Sequence, residues 1–86
     1  MEYPIDYSIY SVDEIVEIVE FLNLIEQYNP SNTQLNPVLI KKYARYQAII
    51  NNKAEEKSID KAFKKQTNLS VYETMKAIMN NEDSAK

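Results

Sequence analysis

Residues 11–28 have the sequence SVDEIVEIVEFLNLIEQY, which contains the signals of a long helix. Ser11 and Glu14 have the spacing of a capping box, in which each side chain bonds to a backbone amide that the first turn of a helix leaves free. The Asn-Pro pair that follows residue 28 ends such a helix, because proline cannot continue the pattern of backbone hydrogen bonds. We therefore predict a helix over about residues 12–28.

Apolar residues cover well over half of the circumference of this helix when its positions are advanced by about 100° per residue. The clearly polar side is narrow and lies near Asp13, Glu17 and Glu20. A helix with so much apolar surface lies at the centre of its domain or is half-buried in an oligomer, and we expect both to some degree. The apolar positions are Ile15, Val16, Ile18, Val19, Phe21, Leu22, Leu24 and Ile25.

Three further helices follow from similar signals. The second is predicted over residues 37–50, with a proline at its first position, where the missing N–H costs nothing. The third is predicted over residues 53–66 and the fourth over residues 71–79, each after a capping-box pair. The sequence therefore predicts an all-α protein, a compact bundle of four helices. The two pairs are Asn52 with Glu55 and Ser70 with Glu73.

The ends of these helices are predicted at asparagines. Helices often end on a residue in the left-handed conformation, which is usually glycine, and this chain has no glycine. Asparagine is the next best tolerated residue in that conformation. Four asparagines stand at the expected ends, namely Asn29, Asn51, Asn68 and Asn80.

The two ends of the chain are predicted to differ from the helical part. Apolar and polar residues alternate over residues 1–10, which is the period of a strand, but the sequence shows no second strand to pair with. We expect an extended arm laid across the helices, with pairing between two chains as the alternative. Residues 81–86 are predicted to be a frayed tail. The prediction is therefore one helical domain over residues 1–80.

The composition excludes several kinds of chemistry. Among its 86 residues the chain has no Cys, His, Trp or Gly. Disulfide frameworks, Cys/His zinc sites, histidine-based nucleophile systems and glycine-rich phosphate loops are therefore excluded. Asp13, Glu17 and Glu20 share one helical face, but three carboxylates on the polar side of an apolar helix are more often a solvated face than a metal site. We expect a protein that is not an enzyme and that has no metal ion or cofactor.

The expected location is the cytoplasm. The first residues lack the basic start and apolar run of a secretory signal. The longest apolar region, residues 15–25, is interrupted by polar side chains and is too short to span a membrane. We therefore expect no association with membranes.

Charge is distributed unevenly along the chain. Residues 1–40 contain seven acidic residues and no Lys or Arg, whereas residues 41–86 contain all ten basic residues and six acidic ones. The favoured interpretation is that oppositely charged elements pack beside each other. The alternative is that each half faces a different partner. The basic residues of the third helix form the candidate partner surface, namely Lys53, Lys57, Lys61, Lys64 and Lys65.

Tyrosines are the other side chains with a candidate binding role, because they can stack on nucleic-acid bases. Tyr43 and Tyr46 fall on the apolar face of the second helix, and Tyr72 adjoins the apolar seam of the fourth. A tyrosine in a small core packs its ring and lets its hydroxyl reach water or a carbonyl. We therefore expect these tyrosines to belong to the core.

An ordered set of segments over nearly the whole chain resembles the uncharacterised protein family 0223, small proteins of Gram-positive bacteria. The family usually has Trp near the position of Tyr10 and Gly where Asn68 stands. Tyr10 keeps the inferred role of an aromatic residue that packs at the start of the first helix, and Asn68 keeps that of a residue that ends a helix. The resemblance implies a compact all-helical fold in the cytoplasm, and it implies no activity, ligand or catalytic residue. The matching segments are Tyr3-Pro4-Ile5-Asp6, Ser11 to Phe21, Tyr43, Asn52-Lys53-Ala54-Glu55-Glu56-Lys57, Phe63 and Ser70-Val71-Tyr72.

Three functions remain open from the sequence, of which a hydrolase or metal enzyme built on carboxylates is the weakest. The favoured one is a small non-catalytic module that binds another protein or a second copy of itself, because the first helix has excess apolar surface and small cores often gain stability by association. The alternative is a nucleic-acid-associated protein that uses the lysines of the third helix. The single Arg of the chain argues against sequence-specific reading of DNA.

Overall fold

The computed structural model describes residues 5, 7–29, 31 and 34–84, with side chains described up to residue 80. No strand occurs among these residues. The predicted all-α fold is confirmed, and each predicted helix is present. The four helices are α1 (Val12–Gln27), α2 (Asn36–Ile50), α3 (Lys53–Thr67) and α4 (Val71–Ser84).

The apolar side of α1 supplies the middle of the core. Ile18, Phe21 and Leu22 are fully buried, and α1 packs along α2 and also contacts α4. α2 contacts each of the other three helices. The expectation that α1 is a core helix is therefore confirmed, although Val12 and Val16 near its start remain exposed.

Side-chain caps fix where α1 and α3 begin. The Ser11 hydroxyl accepts from the backbone amide of Glu14 over 3.2 Å, and the Glu14 carboxylate accepts from the Ser11 amide over 2.8 Å. This is the predicted capping box. Before α3, the Asn52 side chain accepts from the amides of Ala54 and Glu55. The returning bond from the Glu55 carboxylate is not formed, so only half of the second predicted box exists.

Two of the four asparagines end helices as predicted. Asn51 and Asn68 have left-handed backbone conformations, with φ of 47° and 64°. The prediction is wrong at Asn29, because α1 already ends at an extended Tyr28. It is also wrong at Asn80, since α4 continues to Ser84 instead of ending at Met79. The predicted boundary between a domain and a frayed tail therefore falls within a helix.

Substitution of Asn68 and of Asn80 with alanine is expected to have opposite effects. Asn68→Ala should lower the free energy of unfolding by about 1 kcal/mol, because alanine tolerates the left-handed backbone conformation less well than asparagine does. Asn80→Ala should raise it by up to about 0.5 kcal/mol, because alanine is the better helix former. Urea unfolding followed by circular dichroism measures both. Changes of the same sign in the two variants would contradict the assigned conformations.

The start of the chain packs onto its own helices. Ile5 is buried in the same core as α1, and Tyr10 is half-buried against it. Residues 7–10 follow turns and bends, so this part of the predicted arm is not extended. The bends bring Ile5 back to the core and leave Tyr7 and Ile9 exposed. The rest of the predicted arm, residues 1–4 and residue 6, lies outside the described residues.

Two ion pairs join α1 to α2. Arg45 Nε donates to Glu17 Oε2 over 2.8 Å, and Lys42 Nζ donates to Glu20 Oε2 over 3.2 Å. The earlier acid pairs with the later base, so the two helices run antiparallel. The acidic side of α1 therefore faces basic residues of α2, as expected for oppositely charged elements that pack together, and is not simply a solvated face.

Candidate binding groove between helices α2, α3 and α4

A groove with a volume of about 680 Å³ lies between the C-terminal half of α2, the length of α3 and the first turn of α4. Tyr43 and Tyr46 line it from α2, and Tyr72 lines it from α4. The groove is open to solvent along α3. Its walls are therefore partly aromatic and partly charged.

Four of the five lysines predicted as a partner surface line this groove. Lys53, Lys57, Lys61 and Lys64 recur at spacings of three or four residues, which place them along one side of α3. Lys65 is exposed but does not line the groove. The structure thus brings together most of the predicted basic surface and adds an aromatic wall that faces it.

Carboxylates share the groove with these lysines. Glu56 and Asp60 line it from α3, and Glu73 lines it from α4. Opposite charges in one groove lower the net positive potential, so the surface is mixed rather than uniformly basic. Such a surface suits a ligand that has both charged and apolar groups better than a uniform polyanion.

Asp60 caps the start of α4 at the edge of the groove. Its Oδ1 accepts from the Val71 amide over 2.6 Å, and its Oδ2 accepts from the Ser70 hydroxyl over 2.9 Å and from the Tyr72 amide over 3.4 Å. The Ser70 hydroxyl also accepts from the Glu73 amide over 3.2 Å. A carboxylate at a helix N-terminus satisfies free amides and stabilises the helix dipole. Asp60 therefore fixes the start of α4, and with it the position of Tyr72.

An aromatic cluster forms the inner wall of the groove. The ring centroids of Phe21 and Tyr46 are 4.9 Å apart, and those of Phe21 and Tyr43 are 5.7 Å apart. Tyr46 is 3% exposed, and Tyr43 is half-buried. Because these rings pack on a fully buried residue of α1, the inner wall of the groove is anchored to the core.

The Tyr46 hydroxyl is buried without a hydrogen-bond partner among the described residues. Burial, together with the nearby carboxylates of Glu56 and Asp60, raises the pKa of Tyr46 above its ordinary value of 10.0. Burial and the same carboxylates also raise the pKa of Tyr43. Both hydroxyls therefore keep their protons at neutral pH and can act as hydrogen-bond donors.

Tyr46→Phe is expected to raise the free energy of unfolding by about 1 kcal/mol near neutral pH, because it removes a buried hydroxyl that has no partner. The pH dependence should also change. Because the pKa of Tyr46 is higher in the folded state than in the unfolded state, the free energy of unfolding of the wild type falls as the pH rises above 10, where the unfolded tyrosine ionises first.

Urea unfolding at neutral pH and at about pH 11 tests this expectation, because the higher pH lies above the pKa of an unfolded tyrosine. The wild-type protein should lose more stability between the two conditions than Tyr46→Phe does. A variant that is less stable than the wild type at neutral pH would show that the hydroxyl is bonded after all.

A second, smaller pocket of about 230 Å³ continues from the same tyrosines. Tyr43 and Tyr72 line both pockets, and Met75 and Met79 of α4 line the smaller one. Tyr72 is 61% exposed, so the prediction that it belongs to the core is wrong. It instead separates a charged groove from an apolar pocket.

Two kinds of feature are absent from the described part of the chain. Among residues 5, 7–29, 31 and 34–84, no cluster of three or more Asp or Glu is arranged to hold a metal ion. In the same part of the chain, no helix has the length and apolar character needed to cross a membrane. The described lining of the groove offers aromatic contact and charge.

Comparison with known proteins shows relatives across the whole chain. The model of an uncharacterised protein family, UPF0223, matches residues 1–86. A UPF0223 protein of Staphylococcus saprophyticus is 35% identical over 95% of this chain and 87% of its own length. Proteins of the same name in Streptococcus mutans and Bacillus cytotoxicus are each 35% identical, over 87% and 86% of this chain and 79% and 81% of their own.

No solved structure matches the chain. The family match and the relatives agree with the resemblance found in the ordered segments from Tyr3 to Tyr72. The chain belongs to the uncharacterised protein family UPF0223.

Proposed function

We propose that this protein is a non-catalytic protein-interaction module that binds a polypeptide in the groove between α2, α3 and α4. The observation that carries the proposal is an exposed aromatic residue, Tyr72, positioned between a lysine-lined groove and an apolar pocket. We propose further that the protein acts in the cytoplasm, as the sequence analysis expects.

The lining of the groove indicates the kind of polypeptide that fits. Tyr72 and Met79 offer exposed apolar surface, and tyrosine and methionine are enriched in protein interfaces. Lys57 and Lys61 are exposed, line the same groove as Tyr72 and can pair with carboxylates. The matching partner is a segment that presents apolar side chains next to acidic ones. A helix with an acidic edge has that arrangement.

Nucleic-acid association remains the alternative, supported by the four lysines along one side of α3. Binding to phosphates depends on a positive surface potential. Glu56, Asp60 and Glu73 lower that potential within the groove itself. Polypeptide binding uses the aromatic wall and the mixed charge together, and we therefore favour it.

Affinity recovery of the tagged protein from its native cell, with and without nuclease, tests the proposal. The groove variant is Lys57→Glu/Lys61→Glu. The matched control is Lys41→Glu/Lys65→Glu, which makes the same change in net charge at exposed residues that do not line the groove. Circular dichroism verifies that both variants remain helical.

The proposal predicts a polypeptide, identified by mass spectrometry, that survives nuclease, is lost from the groove variant and is retained by the control. Material that nuclease removes, and that both variants lose, would support nucleic-acid association in its place. A polypeptide recovered equally with the groove variant and the wild type would show that the groove is not the binding surface.

A further inference from the structure

We infer that the polypeptide in the groove is a second copy of this chain, and that two copies form a two-fold dimer in which each donates the start of α1 to the groove of the other. This inference rests on the proposed function, because it names the occupant of the same groove. It uses a second exposed surface, called here the α1 face and formed by Ile9, Val12, Asp13 and Val16.

The α1 face is apolar and unusually exposed. Val12 is 76% exposed, Ile9 is 59% exposed and Val16 is 47% exposed. Val12 and Val16 are one helical turn apart and therefore lie side by side. Contiguous exposed apolar side chains of this kind mark interaction surfaces more often than isolated ones do.

The charge of the α1 face complements that of the groove. Asp13 is exposed next to Val12, and it makes no ion pair or hydrogen bond with the described residues. Glu17 and Glu20, further along the same side, are already paired with α2. The stretch that supplies the α1 face, residues 1–40, has no basic residue that would repel the lysines of the groove. The α1 face thus has the acidic and apolar character that the groove requires.

The position of the two surfaces allows a closed dimer. Because α1 and α2 are antiparallel, as the Glu17–Arg45 and Glu20–Lys42 pairs show, the start of α1 lies beside the C-terminal half of α2. That half of α2 lines the groove through Tyr46. The α1 face is therefore at the end of the bundle where α2 ends and where the groove begins with Lys53.

A two-fold axis at this end can bring each α1 face onto the other copy's groove. The two contacts are then identical, and the α1 face and the groove of each copy are both buried within one dimer. Valine side chains of one copy would contact Tyr72 of the other, while Asp13 approaches Lys57 and Lys61. The exposed apolar residues at the start of α1 thereby acquire a partner.

A charge-exchange experiment on the purified full chain tests the inference. The first variant is Lys57→Glu/Lys61→Glu, which makes the groove acidic, and the second is Val12→Lys/Asp13→Lys, which makes the α1 face basic. The control for the second is Asn23→Lys/Gln27→Lys, which also introduces two lysines, at exposed positions of α1 away from its start. Sedimentation equilibrium measures the mass of each protein and of mixtures.

The inference predicts that the wild type and the control are dimers and that each charge variant alone dissociates, with a dimer dissociation constant raised at least about tenfold. An equimolar mixture of the two variants should regain the dimer mass, because one contact in the mixed dimer is native and the other has both charges exchanged. High salt should weaken the wild-type dimer.

Three results would overturn the inference: a wild-type chain that stays monomeric at the highest soluble concentration, charge variants that stay dimeric, or a mixture that does not reassociate. A monomeric chain that nevertheless recovers a different polypeptide, dependent on Lys57 and Lys61, would overturn the self-association and leave the proposed function standing. A dimer that forms without the groove would likewise overturn the inference alone, and the proposed function would be removed only if no recovered polypeptide depended on Lys57 and Lys61.

Discussion

Phe21→Ala is expected to lower the free energy of unfolding by about 3–5 kcal/mol, the loss typical of a large buried aromatic side chain. Phe21 is fully buried and lies against the rings of Tyr43 and Tyr46. Its truncation removes apolar burial and leaves a cavity behind the inner wall of the groove. Domains of this size are stable by only about 5–15 kcal/mol, so a large part of the stability should disappear.

Urea unfolding measured by circular dichroism tests this prediction. The matched control is Gln27→Ala, also on α1 but exposed and outside the α1 face, and it should change the stability by no more than about 0.5 kcal/mol. A Phe21→Ala protein with the unfolding midpoint of the wild type would contradict the assignment of α1 to the core.

Asp60→Ala is expected to cost about 2–3 kcal/mol, which is more than an ordinary helix cap. The carboxylate of Asp60 accepts from two backbone amides at the start of α4 and from the Ser70 hydroxyl. Removal of this charged acceptor leaves the amides of Val71 and Tyr72 without their bonds. The first turn of α4 should then fray, and Tyr72 should lose its fixed position in the groove.

Asp60→Asn is the graded comparison, because the amide keeps one oxygen that can accept from Val71. Its loss of stability should fall between those of the wild type and Asp60→Ala. Amide hydrogen exchange should show faster exchange in the first turn of α4 in Asp60→Ala. Unchanged exchange at Val71 and Tyr72 would mean that α4 does not depend on Asp60.

Local signals predicted most of the fold. Ser11 and Glu14 mark the start of α1 through a capping box, and this motif needs only residues close in sequence. Asn51 and Asn68 end helices for the same local reason, a tolerated left-handed conformation. Asn80 misled the prediction because asparagine also occurs within helices at a modest cost. The sequence pattern alone cannot tell these two uses apart.

The candidate site was only partly predictable. The lysines of α3 repeat at helical spacing, so their shared side was evident from the sequence. The cap at the start of α4 was missed because Asp60 is ten residues from Ser70 and reaches it only through the packing of α3 on α4. The exposure of Tyr72 was missed for a related reason. It depends on which side of α4 faces α2, and this is a tertiary property.

Variants of the groove residues should fall into two groups, those that change the fold and those that change only the contact with a partner. Phe21 and Asp60 affect the groove through the fold, whereas Lys57 and Lys61 are exposed and act on a partner directly. Variants of Phe21 or Asp60 that lose binding should also lose stability. Variants of Lys57 or Lys61 should lose binding with nearly unchanged stability, since substitutions of exposed residues usually shift the free energy of unfolding by no more than about 0.5 kcal/mol.

Photo-cross-linking from inside the groove detects a bound polypeptide in the cell. A photoreactive phenylalanine analogue in place of Tyr72 lies at the junction of the two pockets, and the same analogue in place of Lys41 is an exposed control on α2. After irradiation of the native cell, we predict a polypeptide adduct from position 72 and none from position 41. An adduct to nucleic acid at position 72, or equal adducts from both positions, would contradict a polypeptide-binding groove.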